Sequence, residues 1–417
     1  MRRSLWWFWV FARAQKWFLF MGLGLFVLVA GLVGIINLYY FDLTFISLGQ
    51  GIILSLSGIG MALWGFIRGS RGVIDIVSSL TSVNIYDYLR KDSQKKRGPR
   101  IVVIGGGTGL SVLLKGLKNY SNNITAVVAV TDDGGSSGRI REMGMLPPGD
   151  IRRCLVALAQ TENLMDRVFE HRFTEGEGIR GHSLGNLLIT ALTDITGDFI
   201  GAITEVSKVL AVQGRVLPAT VELTVLGAAM MDGTVVMGQT SIAGAGKPIK
   251  EVFLDPPNCR AVPDAVKAIR EADAVVLGPG SLFTSIIPNL LVPEIGEALR
   301  STRAVRIFVV NIMTQPGETA GFTATDHLDA VARHIGPGHI EYVVVNDAPV
   351  DKERASRYRL EDADPVTFDQ RELAERGVKC IRDSLLGQED VAWHDSEALA
   401  RTLMRIVYER KGLNWLE

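Results

Sequence analysis

Apolar and polar positions fall into two regimes along the chain. From residue 17 to 37 no side chain is charged, and after Asp42 the same holds from 43 to 67. Each run is long enough to cross a hydrocarbon core of about 30 Å as a helix. The link between them is very short, so the pattern predicts a helical hairpin over residues 1–67, with spans at about 17–37 and 43–67. Beyond residue 100 the pattern turns to short apolar runs that end in glycine or polar loops. The runs at 101–104, 124–130, 274–277, 307–310 and 342–345 read as buried strands. Helical stretches lie at 108–117, 261–271 and 326–334. This alternation predicts an α/β domain over residues 100–417, a Rossmann-like doubly wound sheet with a parallel core. Residues 219–254 break the rhythm with Thr/Val-rich runs and the turn signals Asp232-Gly233 and Gly244-Ala245-Gly246. A small inserted subdomain of antiparallel strands is expected there.

Charge adds an orientation. Arg2, Arg3, Arg13 and Lys16 precede the first apolar run, and Arg68 and Arg71 follow the second. The positive-inside rule puts both flanks, and therefore both termini and the α/β domain, in the cytoplasm of a multi-pass membrane protein. Trp6, Trp7, Trp9 and Trp17 suit interfacial anchors. Residues 68–99 read as a juxtamembrane segment and linker, with Lys91, Lys95, Lys96 and Arg97 suited to a solvated hinge or to anionic headgroups. The hairpin also accounts for the 47% hydrophobic composition and the mean hydropathy of +0.21. A net charge of -1 gives no basic field, so no nucleic-acid partner is expected. Cys154, Cys259 and Cys380 are widely spaced, which argues against a disulfide framework or a zinc site and fits a reducing compartment.

In open α/β sheets ligands bind beyond the C-terminal strand ends, so the chemistry should sit in the loops that follow the strands. The first loop is Gly105-Gly106-Gly107-Thr108-Gly109. Glycines let backbone N–H groups approach a phosphate, and the helix that follows adds partial positive charge. Leu110 stands where a dinucleotide fingerprint needs glycine, which counts against a nicotinamide oxidoreductase, and no Gly-Lys-Ser/Thr follows to make a P-loop. After the second strand come Thr131, Asp132, Asp133, two glycines, Ser136, Ser137 and Arg139. Paired carboxylates at a strand end suit a ribose hydroxyl, a hard cation or a cap on nearby amides. Asp150 opens a further helix, as an N-cap or as a partner in a cation site, with Arg152 and Arg153 available to an anion. Gly181-His182-Ser183-Leu184-Gly185 matches the nucleophile elbow of hydrolases, but the residues before it cannot make the buried strand that elbow requires. His182, Ser183 and Asn186 are better read as polar contacts at a helix N-terminus. A second glycine loop begins Gly278-Pro279-Gly280-Ser281, and a long polar loop with Asn311, Thr314 and Gln315 follows the next strand.

These loops occur in the same order as in the YvcK-type gluconeogenesis factor family, which the sequence resembles over residues 100–417. The motifs that carry the resemblance are GGGTG, TDDGGSSG, PPGDIRR, GHSLGN, GPGSLFTSIIPNL and NIMTQPGET. More distantly the chain resembles the 2-phospho-L-lactate transferase (CofD-like) superfamily, whose members have a Rossmann-like sheet with an insert. The resemblance implies binding of a UDP-sugar, notably UDP-N-acetylglucosamine, and a role in cell shape, envelope synthesis and gluconeogenic growth. It implies a nucleotide held by the two glycine loops, and Tyr358 as a sugar-nucleotide contact. The transferase relatives use a divalent cation, whose ligands look like Asp133 (or Asp132) and Asp150. Near the C-terminus the family often has a basic residue before a His-Asp pair, whereas Trp393 precedes His394-Asp395 here. The reading is a non-catalytic sensor that needs no cofactor, with Mg²⁺ in reserve. The alternative is a Mg²⁺-dependent phospho-group transferase. Envelope or signalling proteins and a second copy of the chain are its expected partners.

Overall fold

Arginine and lysine have good helix propensity, so a charged flank can end an apolar run without stopping a helix. This explains a difference from the expected boundaries in the computed structural model, which describes residues 2–41, 47–81, 94–160, 163–360, 362–389 and 391–412. The first helix runs Arg2–Phe41 and the second Leu48–Thr81, beyond the charge-free runs at both outer ends. Within them, Lys16–Tyr40 and Leu48–Arg71 are long and apolar enough to cross a membrane. The side chains of Trp6, Trp7 and Trp9, and the part of the expected juxtamembrane linker at 82–93, lie outside what is described. The two helices pack on each other through glycines one heptad apart: Gly24 and Gly31 on the first, Gly51, Gly58 and Gly65 on the second. A Cβ on Gly24 would lie 2.9 Å from the Gly58 carbonyl, and one on Gly65 would lie 2.8 Å from the Trp17 carbonyl. Backbones this close are the usual solution where lipid removes the hydrophobic drive for helix pairing.

Residues 94–417 form the second unit. Its centre is a seven-stranded sheet in the order β10-β9-β8-β7-β1-β2-β3, with every pairing parallel. The strands are β1 (Ile101–Gly105), β2 (Ile124–Val128), β3 (Arg215–Pro218), β7 (Ala274–Leu277), β8 (Val305–Val309), β9 (Tyr342–Asn346) and β10 (Lys379–Asp383). Alternate residues of the central strands serve two separate cores. Val102, Ile104, Val275 and Leu277 face one, and Ile101, Val103, Ala274 and Val276 face the other. A strand buried on both faces needs the continuous apolar run seen in the sequence. Between β3 and β7 the chain makes a separate antiparallel sheet of β4 (Val225–Met230), β5 (Val235–Met237) and β6 (Ile249–Asp255), in the order β5-β4-β6. This is the expected insert. It also carries the helix Gln239–Gly244, which the sequence pattern did not indicate.

The strand order reverses direction at the β1–β7 pair, since β2 and β3 lie on one side of it and β8 to β10 on the other. A crevice opens at such a switch point because the two connections leave in opposite directions. Both glycine loops therefore meet at one place.

Candidate functional site

β1 ends at Gly105, and the helix Gly107–Leu117 starts two residues later. Gly107 has φ +67°, a conformation that side chains with a Cβ rarely adopt. Gly109 sits against the second loop: a Cβ there would be 2.7 Å from the Pro279 carbonyl oxygen. The first four N–H groups of the helix have no intrahelical acceptor and carry its positive end. The second loop is shaped from outside. The Asn311 side chain donates to the Gly280 carbonyl at 2.9 Å and accepts from its N–H at 3.1 Å. Gln315 donates to the Ser281 hydroxyl at 2.9 Å. Ser281 leads into a π-helical turn, Leu282–Ile286, a form common at functional sites. The buried Glu318 caps that turn, accepting from the Phe283 N–H at 3.2 Å and the Thr284 hydroxyl at 2.7 Å. Burial pushes its carboxyl above the ordinary range.

Two cavities adjoin the first loop, sharing Gly107, Thr108, Ser281 and Ser285. The first, of about 510 Å³, is lined on one side by Gly106, Gly109, Pro279 and Gly280. Asn311, Thr314 and Gln315 continue it, and Thr314 is tied to Asp364 through both backbone and hydroxyl. Its far wall is Tyr358, Ala392, Trp393 and His394. The Tyr358 hydroxyl accepts from the Ala392 N–H at 3.0 Å, and both pack with Ile312 and Met313 in a small apolar cluster. Burial holds the His394 imidazole down at about 4, so the ring is neutral at physiological pH.

The second cavity, of about 400 Å³, is polar. Three helix N-termini converge on it, those of Gly107–Leu117, Gly135–Glu142 and Gly149–Leu158. Asp132, Asp150, Arg153 and Arg172 bring charge to its wall, with Ser136, Ser137 and Asn186 between them. Asp150 receives the Arg153 guanidinium at 2.9 Å and the Gly107 N–H. Burial raises its carboxyl to about 6, Arg153 opposes the shift, and the neighbouring Asp132 adds to it. A Cβ on Gly106 would lie 2.5 Å from Asp150 Oδ2, so the first loop closes directly over this carboxylate.

Several of the expected residues sit behind these walls and not on them. Asp132 and Asp133 part company. Asp132 lines the second cavity and accepts from the Gly134 N–H at 3.0 Å, whereas Asp133 reaches the insert and accepts the Thr240 N–H at 2.8 Å and its hydroxyl at 2.7 Å. The carboxylate that shares a cavity with Asp150 is thus Asp132. Thr131 is buried beside Gln239 of the insert. Arg139 donates to the Arg180 carbonyl at 2.7 Å. His182 Nδ1 is 3.0 Å from the Ser136 hydroxyl, which also accepts from Asn186, itself held by Arg152. Burial, then the charges of Arg139 and Arg172, lower the His182 value. Ser183 caps the helix Leu184–Thr196 by accepting the Asn186 N–H, so its hydroxyl serves as a cap and not as a nucleophile's elbow. Gly105 and Gly278 shape the strand ends. Sequence reasoning missed Arg172 and Gln239 as cavity residues. They come from an isolated bridge to Ser183 and from the insert, and no spacing rule links them to the glycine loops.

Two carboxylates suit a hard cation such as Mg²⁺, which commonly takes one or two carboxylates and completes its shell with water and phosphate oxygens. Among the described residues no group of three or more His, Cys, Asp or Glu side chains forms a fuller cage.

The chain is similar to known proteins over most of its length. Residues 101–386 match the family model described as 2-phospho-L-lactate transferase CofD. The gluconeogenesis factor of Bacillus subtilis is 49% identical over 313 residues, which cover 75% of this chain and 99% of that protein. A putative gluconeogenesis factor of Clostridium acetobutylicum is 39% identical over 420 residues, covering 96% of this chain and 91% of its own length, so its match includes most of the N-terminal helical unit. A crystal structure of a Bacillus halodurans member of the UPF0052 family superposes with a TM-score of 0.71 at 48% identity, covering 73% of this chain and 99% of that one.

Proposed function

The chain belongs to the CofD family and matches gluconeogenesis factors within it, and on that premise we propose that it is a membrane-tethered cytoplasmic regulator that binds UDP-N-acetylglucosamine. The observation that carries the reading is the pair of unlike cavities meeting at the glycine loops. A diphosphate suits the loop N–H groups and helix N-termini. On one side the apolar and aromatic wall suits a planar base. On the other, the polar cavity suits a hydroxyl-rich ring. A nucleotide sugar has this order of parts. Relatives named gluconeogenesis factors support a role in gluconeogenic growth, and the family resemblance extends it to cell shape and envelope synthesis.

Tethering supports the role physically. Two apolar helices would hold the domain at the cytoplasmic leaflet and raise its local concentration near envelope or signalling proteins there. Both termini then lie in the cytoplasm, and self-association of the domain would add valency.

Calorimetric titration with UDP-N-acetylglucosamine, UDP, GDP and NAD, with and without Mg²⁺, tests the reading. Metal-independent binding of the UDP-sugar without turnover is the expected result. One observation favours a second reading: Asp132 and Asp150 face the same cavity. A Mg²⁺-dependent phospho-group transferase would use them to hold the cation against phosphate oxygens. Mg²⁺-dependent consumption of a nucleotide, lost in Asp150→Asn, would establish that reading and displace the sensor.

A further inference from the structure

Trp393 is 43% exposed although its loop is fixed. Its carbonyl accepts the Gly387 N–H at 2.8 Å, and its own N–H donates to the Val391 carbonyl at 2.8 Å. The next residue, His394, is buried and bridges to Leu386. The residue before it, Ala392, is buried and held by the Tyr358 hydroxyl. Backbone bonds on either side thus hold the residue's main chain in place, and its side chain is left partly exposed on the wall of the first cavity, which Tyr358 also lines. A partly exposed aromatic ring on a well-anchored backbone beside a phosphate cradle is how sites take a planar heterocycle by stacking.

We infer that Trp393 is a specificity-determining contact of this chain, against which the nucleobase of the ligand stacks while the sugar occupies the second cavity. This rests on the nucleotide-sugar reading above. The alternative placement, sugar against the indole, fits the surroundings less well. A pyranose needs partners for hydroxyls all round its ring, and Asp132, Asp150, Ser136, Ser137 and Arg153 provide them in the second cavity. The first cavity, which Trp393 lines, carries fewer charged groups and adds the apolar Ile312, Met313, Ala363 and Ala392 to its polar Thr314, Gln315 and His394. Stacking also replaces charge: an indole holds the base with little dependence on salt, where a cation at this position would be screened.

The experiment uses the full chain in detergent micelles. The sequence holds seven tryptophans, so the signal is the difference in fluorescence between wild type and Trp393→Phe on titration with UDP-N-acetylglucosamine. Affinities are measured in parallel for UDP-N-acetylglucosamine, UDP, N-acetylglucosamine 1-phosphate and inorganic pyrophosphate. The expected result is a quench that depends on Trp393. Trp393→Ala should weaken UDP and UDP-N-acetylglucosamine by roughly 5- to 100-fold, the usual worth of one stacked base. Trp393→Phe should stay within about 3-fold because a ring remains, and pyrophosphate should bind all three proteins alike. If UDP-N-acetylglucosamine binds wild type and Trp393→Ala equally, the inference falls and the nucleotide-sugar reading stands. If the loss follows N-acetylglucosamine 1-phosphate and spares UDP, the ring on Trp393 is the sugar and the assignment is overturned. If wild type binds no nucleotide, the nucleotide-sugar reading fails and takes the inference with it.

Discussion

Asp150 is the residue in which structure and pH are most directly linked. Its carboxyl titrates at about 6 in the fold against an ordinary 3.8, because burial disfavours the charge. A raised acid value means that the fold prefers the protonated form. Its contribution to stability is complete below about pH 4 and is lost as pH rises through about 6. The ligand-free protein should therefore lose on the order of 2–3 kcal/mol between pH 4 and 7.5 from this group. Asp150→Asn should remove that slope in urea unfolding and be the more stable protein at pH 7.5. Gly109 tests the cradle. Gly109→Ala would push a methyl against the Pro279 carbonyl, backbone that cannot swing aside. Ligand affinity should fall at least 10-fold by calorimetry, with the circular dichroism spectrum unchanged. At this scale the glycines and Asp150 were legible because their chemistry is local. The division of labour between Asp132 and Asp133 was not. It depends on Thr240, more than a hundred positions away.

Among the elements, the π-helical turn after Ser281 depends on Glu318 for both of its first donors. Glu318→Ala would leave the Phe283 N–H and the Thr284 hydroxyl unpaired in a buried place, at about 1–3 kcal/mol. The expected reading is a lower urea midpoint together with weaker nucleotide binding, since the turn carries Ser281 and Ser285 into both cavities. The central strands were readable because burial on two faces demands an unbroken apolar run. β3 and β10 escaped for the converse reason. Each is at an edge of the sheet, and Arg215, Pro218, Lys379 and Asp383 interrupt their apolar character. Edge strands tolerate charge and proline, so their sequences look like loops. The insert announced itself through Asp232-Gly233, which does turn between β4 and β5.

At the scale of the molecule, the helical unit and the α/β unit should behave independently. The Bacillus subtilis relative is covered to 99% of its length by 75% of this chain, and the family model matches residues 101–386, so a chain starting at Gln94 should fold alone and leave the membrane fraction. Fractionation and nucleotide titration of that truncation check both points. The glycine seam makes the matching prediction for the other unit. Gly58→Leu would drive a side chain into the backbone of Leu28 and Gly24, lowering the melting temperature of the hairpin in micelles while the α/β transition stays in place. The charge-free runs made the hairpin legible, but the seam lies in glycine spacing, which hydropathy does not register.

Asp132 and Asp133 are joined by one peptide bond, yet one faces the polar cavity and the other holds the first turn of the insert's helix. That bond is a short mechanical link between an interior event and an outer surface. A ligand or cation that draws on the first carboxylate acts on the same stretch of backbone that carries the second. The amide hydrogen of Thr240, outside the cavity, should then change its rate of exchange with deuterated water when the cavity fills. A single backbone proton on the insert would thus report, to a spectrometer or to a neighbouring protein, whether the interior is occupied.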